Sequence, residues 1–399
     1  MPHLLEQAEK ARLSSRYKTA MGIYERLVKN PGLEKNPPPK TGSKDWSRIK
    51  SEAFLGLADV ERIQGYFSQA LHHYQEAEKI LKKIDPPSAV DAQVGWALAA
   101  RAVGRPQEAL ERLNKALIFY RKDKDRQGEA FTHWALGGTL RIAGDMKRGL
   151  KELQTALRMF KSLKDVEGIS YTCCALGGIF RMLGRYGESR KYYREANRLM
   201  RQRKDTFGIA YSYCGLGNVE RMGGRYRKAL PFYRKAEKLY GSIGDRVSYA
   251  YTLWSIGTAH KMLGDFPKAV RSFLKADKLF LQTGDTRGRI YVNQGLGEIA
   301  QLSPNNSSLR KSLFVYRNDK RNQVKSEGFQ WESLHETALF CFALIELRKV
   351  MMDRFDWAAP PSEFRKFEKV KRDLTNALRK LYRKAGSRFY PSALPVNWP

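Results

Sequence analysis

The chain has 399 residues, with 73 Lys and Arg against 41 Asp and Glu, for a formal net charge of +32. Such a length can make several globular domains or one extended stack, and so basic a balance puts anionic partners first among the candidates. The longest apolar run, Ala338 to Ile345, falls far short of the roughly 18 residues a membrane span needs, and no secretory apolar stretch follows "MPHLLEQAEKARL", so a cytoplasmic protein with no transmembrane segment is expected.

Residues 1–31 are expected to form a first helix pair, and 32–45 a proline-rich loop inserted in "NPGLEKNPPPKTGSKDW". From 46 to 302 the chain repeats itself. A small residue recurs at Ala8, Ala58, Ala97, Gly137, Gly177, Gly217, Gly257 and Gly297, with spacings of 50, 39 and then 40 five times. A second column runs Ala77, Ala116, Ala156, Ala196, Ala236 and Ala276. Self-similarity at such a period signals a repeat architecture.

Within one unit, Leu253, Ile256, Gly257 and His260 share one helix face, and Ala269, Phe273 and Ala276 share another. Gly264 and Asp265 break the chain between them. Each unit is therefore a pair of antiparallel helices. Asp85, Asp125, Asp165, Asp205, Asp245 and Asp285 precede the next helical pattern as candidate N-caps, and Gly244 and Gly284 are candidate C-caps.

The segment "LGNVERMGGR" (Leu216 to Arg225) looks like a phosphate-binding loop. It has neither the lysine of a P-loop nor the preceding strand of a dinucleotide fold. It recurs from Leu136, Leu176 and Ile256, so its glycines belong to helix packing and to turns.

The pattern decays over 303–351, read as a degenerate repeat followed by a capping helix in "HETALFCFALIELRKVM". Residues 352–385 read as a linker and a basic amphipathic helix, with Ser362 as N-cap and Phe364, Phe367, Val370, Leu374, Leu378 and Leu381 in one stripe. Residues 386–399 read as a flexible tail that could fold back into a groove.

Leu253, Ile256, Gly257, Gly264, Phe266, Ala269, Phe273 and Ala276 resemble the tetratricopeptide repeat in a forty-residue form. Leu4, Ala8, Ala11, Tyr17, Ala20, Tyr24, Leu27 and Pro31 fit the same pattern in the first unit. The tryptophan and tyrosine typical of the family's first helix are mostly replaced, by His133, Cys173, Tyr213 and Leu253 in one column and by Leu140, Phe180, Glu220 and His260 in the other. The resemblance implies an all-α fold: a right-handed α-solenoid of about eight antiparallel helix pairs with C-terminal capping helices. It also implies a scaffold for protein partners.

In that family the sector holding Tyr211, Cys214, Asn218, Arg221 and Met222 lines the concave groove. Here it repeats its chemistry. One column reads Arg12, Arg62, Arg101, Arg141, Arg181, Arg221 and Lys261; another Phe131, Tyr171, Tyr211, Tyr251 and Tyr291; Trp134 and Trp254 occupy a third. Aromatics packing on the preceding repeat with arginines snorkelling over them is the plain explanation. The functional one is an extended acidic or carboxylate-bearing peptide, its carboxylates forked by arginine and its apolar side chains on the rings.

Single-stranded RNA or DNA, with phosphates on the cations and bases on the tyrosines, is the alternative. An enzyme is not expected, since no nucleophile, base and acid set stands out. No cofactor or metal is expected either: Cys173, Cys174, Cys214 and Cys341 make no zinc spacing, and neighbouring His72 and His73 point in different directions.

Overall fold

The computed structural model describes residues 2–14, 16–29 and 43–285, with 288, 289, 291–293, 295, 296, 299, 369, 372 and 376. The expectations for 303–351 and 386–399, and all but three residues of 352–385, lie outside the described residues. Among those described, all regular structure is helical and falls into consecutive pairs. These are α1 (Pro2–Leu13) with α2 (Tyr17–Val28), α3 (Ser43–Gln64) with α4 (Phe67–Ile84), α5 (Pro86–Ala102) with α6 (Pro106–Asp123), and α7 (Arg126–Ile142) with α8 (Met146–Ser162). Then come α9 (Val166–Met182) with α10 (Tyr186–Gln202), α11 (Thr206–Met222) with α12 (Tyr226–Ile243), and α13 (Arg246–Met262) with α14 (Phe266–Thr283). Helix α3 starts ahead of the boundary at 46, on Ser43 and close to Asp45, both helix-starting residue types. Among the described residues no helix is long and apolar enough to cross a membrane.

The aspartates do start helices. Asp125, Asp165, Asp205 and Asp245 accept hydrogen bonds from the backbone N–H of Gly128, Gly168, Gly208 and Ser248 at 2.9, 2.8, 2.9 and 2.9 Å, satisfying donors the helix leaves open. Within each pair Gly144, Gly184, Gly224 and Gly264 turn the chain at φ of 88°, 72°, 73° and 77°, a region that favours glycine. The mid-helix glycines allow close contact: a Cβ on Gly137, Gly177, Gly217 or Gly257 would lie 2.5 to 2.8 Å from Leu153, Tyr193, Tyr233 or Phe273. That contact offsets the ~1 kcal/mol each glycine costs a helix.

Each helix packs on its chain neighbours, and the odd-numbered helices also touch one another from pair to pair. The odd helices therefore form the inner wall of an α-solenoid. The core is continuous, as stacking requires: Leu113, Leu153, Tyr233 and Phe273 are completely buried, one per pair. Each contributes roughly 1.5–3 kcal/mol by leaving water. The stack curls until α3 reaches α13. There Gly65 abuts Val247, with Thr283 beside it, and no side chain would fit. Asp245, two residues from Val247, is only 1% exposed.

Candidate ligand groove

Two open cavities lie along the inner wall among the described residues. The larger, about 1080 Å³, extends from Arg12 and Tyr17 past Arg62, Arg101, Phe131 and Tyr171 to Tyr211. The smaller, about 170 Å³, is lined by Arg101, Arg141, Arg181, Trp134, Tyr193, Tyr211 and Asn218, with Gly138, Gly178 and Gly215 in its walls. The two share Arg101, Trp134, Ala175 and Tyr211. Carboxylates at Asp165, Glu167 and Asp205 border the larger one; none among the described residues lines the smaller.

The cation column follows from the repeat, because each arginine sits in the last turn of an odd helix. A cation there complements the helix dipole. What each one meets depends on the residue one turn earlier. In the first pair Glu9 takes Arg12 Nε at 2.8 Å and Tyr24 Oη at 2.9 Å. In the second, Asp59 takes Arg62 Nη2 at 3.2 Å and Tyr74 Oη at 2.5 Å, while Arg62 Nε donates to Tyr74 Oη at 3.1 Å. Arg12 also approaches Asp59, at 4.0 Å. Both cations are thereby neutralised. Burial works against the Arg62 charge, but Tyr74 and Asp59 outweigh it and raise its pKa above the usual arginine value.

The next three pairs lack the acid. Leu98, Gly138 and Gly178 stand where Glu9 and Asp59 stood, and Arg101, Arg141 and Arg181 make no ion pair among the described residues. Arg101 Nη1 has only the carbonyl of Ala135 at 3.4 Å and the ring of Trp134, 5.6 Å from its centroid. Burial, with Arg141 and Arg62 nearby, pulls its pKa down to about 10. Arg181 Nη1 donates to Met222 Sδ at 2.8 Å, and its Nε is buried with no partner among the described residues. Beyond them Asn218 accepts from Tyr233 Oη at 2.8 Å. Arg221 and Lys261 are each 8% exposed, Arg221 over the ring of Trp254 at 5.1 Å.

The aromatic column also divides. Tyr171 donates to Asp205, the N-cap of α11, at 2.8 Å, and Tyr251 donates to Asp285 at 2.9 Å; both phenols brace successive pairs. Trp254 lies 5.3 Å from Tyr291 and donates to its carbonyl at 3.2 Å, and Tyr291 is buried. Phe131, 5.2 Å from Trp134, is 41% exposed. Tyr211 is 40% exposed, stacks on Phe207 at 6.2 Å, and its hydroxyl has no partner among the described residues. Arg101, Arg141, Arg181, Trp134, Tyr211 and Asn218 thus converge on one cavity and Arg62, Phe131 and Tyr171 on the adjoining one. Arg221, Lys261, Tyr251, Trp254 and Tyr291 line neither.

Tyr193 and Phe207 belong to this wall too; Tyr193 comes from an even helix, and Phe207, on α11, has no ring at its equivalents Gln127, Glu167 and Val247 to make a column. The thiols are poor nucleophiles: burial pushes Cys173 up to about 11 and raises Cys174 as well. Among the described residues no group of three His, Cys, Asp or Glu could hold a metal ion.

A tetratricopeptide-repeat family model matches residues 167–242 and 208–281. The chain carries tetratricopeptide repeats. No curated protein matches it by sequence. Among solved structures it is similar to a Rap protein complexed with Competence and Sporulation Factor, at 14% identity and a TM-score of 0.58, over 82% of this chain and 98% of that one. It is also similar to the Rap conjugation gene regulator of plasmid pLS20 with the Phr* peptide, at 14% identity and 0.59, over 82% and 96%. NprR with its cognate peptide NprX matches at 16% identity and 0.55, over 94% and 98%. At these identities the similarity is one of fold: tetratricopeptide helices stacked into a solenoid.

Proposed function

We propose that this chain is a cytoplasmic, non-catalytic scaffold that binds an extended, acidic or carboxylate-bearing protein segment along its inner wall. The observation that carries the reading is the convergence of Arg101, Arg141 and Arg181 on one cavity that no carboxylate among the described residues lines. Half-buried cations without anions cost a fold stability. A ligand that supplies the anions recovers that cost as binding energy, through charge-assisted bonds to guanidinium. Exposed Phe131 and Tyr211 provide apolar landing surfaces to either side. Two structurally similar solenoids, the pLS20 Rap regulator and NprR, are described in complex with peptides, which supports the same use of the wall here.

The test uses degenerate nonapeptide pools, one rich in Asp and Glu and one neutral, against the full chain and the Arg141→Glu, Arg181→Glu double variant. The acidic pool should bind the parent and lose about 100-fold in the variant, two charge-assisted contacts each worth about 1.5 kcal/mol. Equal capture of both pools, or capture unaffected by the reversal, contradicts the reading. Single-stranded RNA serves as the third probe: sequence preference that survives physiological salt would place the chain among nucleic-acid binders instead.

A further inference from the structure

Four second-helix tyrosines stand fifteen residues after the position that precedes each groove cation by one turn. Tyr24, Tyr74 and Tyr233 donate to Glu9, Asp59 and Asn218 at 2.9, 2.5 and 2.8 Å. Tyr193 is the fourth, and its counterpart is Gly178. The Tyr193 side chain is 5% exposed, yet its hydroxyl has no hydrogen-bond partner among the described residues. A Cβ placed on Gly178 would lie 3.5 Å from that hydroxyl with nothing else nearby, so the space where a carboxylate would stand is open. The same cavity receives Arg101, Arg141, Arg181 and the unpartnered hydroxyl of Tyr211.

We propose that this cavity is a phosphoryl-group site, and that the bound segment carries a phosphorylated side chain whose oxygens take the place of the carboxylate missing at Gly178. The inference rests on the peptide-groove reading for the carrier, but the chemistry of the pocket stands apart from it. In the first two pairs two arginines are matched by two carboxylates, Glu9 and Asp59. Three arginines with no carboxylate among the described residues ask for more than the single charge of one Asp or Glu. A phosphoryl group brings about −1.5 to −2 at pH 7 and three acceptor oxygens, enough for forked guanidinium contacts and two phenols. Gly138 adds to the fit, because a Cβ there would stand 2.6 Å from Arg101 Nη1 and push the guanidinium away.

The first arm measures thermal unfolding of the full chain in inorganic phosphate, acetate or chloride at constant ionic strength and pH 7.5. Millimolar phosphate should raise the midpoint saturably by roughly 3–5 °C, with acetate changing it by under about 1 °C. The response should vanish in Arg141→Gln, and in Gly178→Asp, which restores the carboxylate opposite Tyr193 and keeps the starting midpoint at or above that of the parent. Acetate matching phosphate, or equal responses in all three proteins, overturns the proposal.

The second arm compares degenerate peptide pools with a fixed central phosphoserine or serine. At least tenfold preference for phosphoserine, lost in Gly178→Asp, is expected. Equal capture of both pools overturns the phosphoryl assignment while leaving the peptide groove standing. A saturable phosphate response with neither pool bound supports the pocket and overturns the peptide groove.

Discussion

Arg62 and Arg101 hold equivalent places, near the ends of α3 and α5, and differ in everything around them. Arg62 has Asp59 one turn back and Tyr74 across from it, and its charge is held firmly. Arg101 has Leu98 and Leu113 in those places, leans on Trp134, and is weakened by burial and by Arg141. A repeated cation is therefore no marker of a site by itself. The residue three positions earlier separates the cations: the N-terminal two pairs hold theirs against a carboxylate, and in the function we propose the central three offer theirs to a ligand.

The largest effect should come from breaking the structural side. Asp59→Ala leaves Arg62 and Arg12 facing each other near Tyr74, and should cost about 2 kcal/mol, the loss of one partner in a partly buried ion pair. Thermal or chemical unfolding reads it, as a midpoint several degrees lower.

A second test uses a carboxylate with the opposite problem. Asp245 is 1% exposed and burial raises its pKa to about 6, above the ~3.9 of an unfolded Asp. The folded chain thus holds this proton more tightly, and the group's contribution to stability is lost as pH rises through that interval. Asp245→Asn, which keeps a capping oxygen, should exceed the parent by about 1–2 kcal/mol above pH 6 and converge with it below pH 4. Unfolding midpoints across pH 4–8 decide; parallel curves would contradict the effect of burial on Asp245.

The smallest effect separates two phenols of one column. Tyr171→Phe removes the bond to Asp205 and should cost about 1 kcal/mol, whereas Tyr211→Phe should leave stability unchanged. Equal losses would mean that both tyrosines brace the stack.

The solenoid was legible because its signals are local or strictly periodic: glycines forty residues apart, an aspartate before each inner helix from α5 onward, small residues where helices touch. The same periodicity located the cation and aromatic columns on the inner wall. It did not separate braced tyrosines from exposed ones, because Tyr171 and Tyr251 find their acceptors 34 residues later in the next pair, and that distance depends on how pairs stack. Phe207 reaches the groove one turn before Tyr211 on the same helix, and Tyr193 comes in from an even helix over Gly178 and Gly215, a contact that pairing of helices rather than one helix's pattern sets. The distinction between paired and unpaired arginines was present all along, in the run Glu9, Asp59, Leu98, Gly138, Gly178. It becomes readable once the geometry shows that this position faces the cation.

The central claim is that the middle cations burden the fold and exist for a ligand. Thermal unfolding of Arg62→Gln and Arg141→Gln in a buffer free of multivalent anions tests it directly. The account predicts that Arg62→Gln lowers the midpoint by several degrees while Arg141→Gln leaves it unchanged or raises it. A comparable fall in both would contradict it, since Arg141 would then be holding the structure together as Arg62 does.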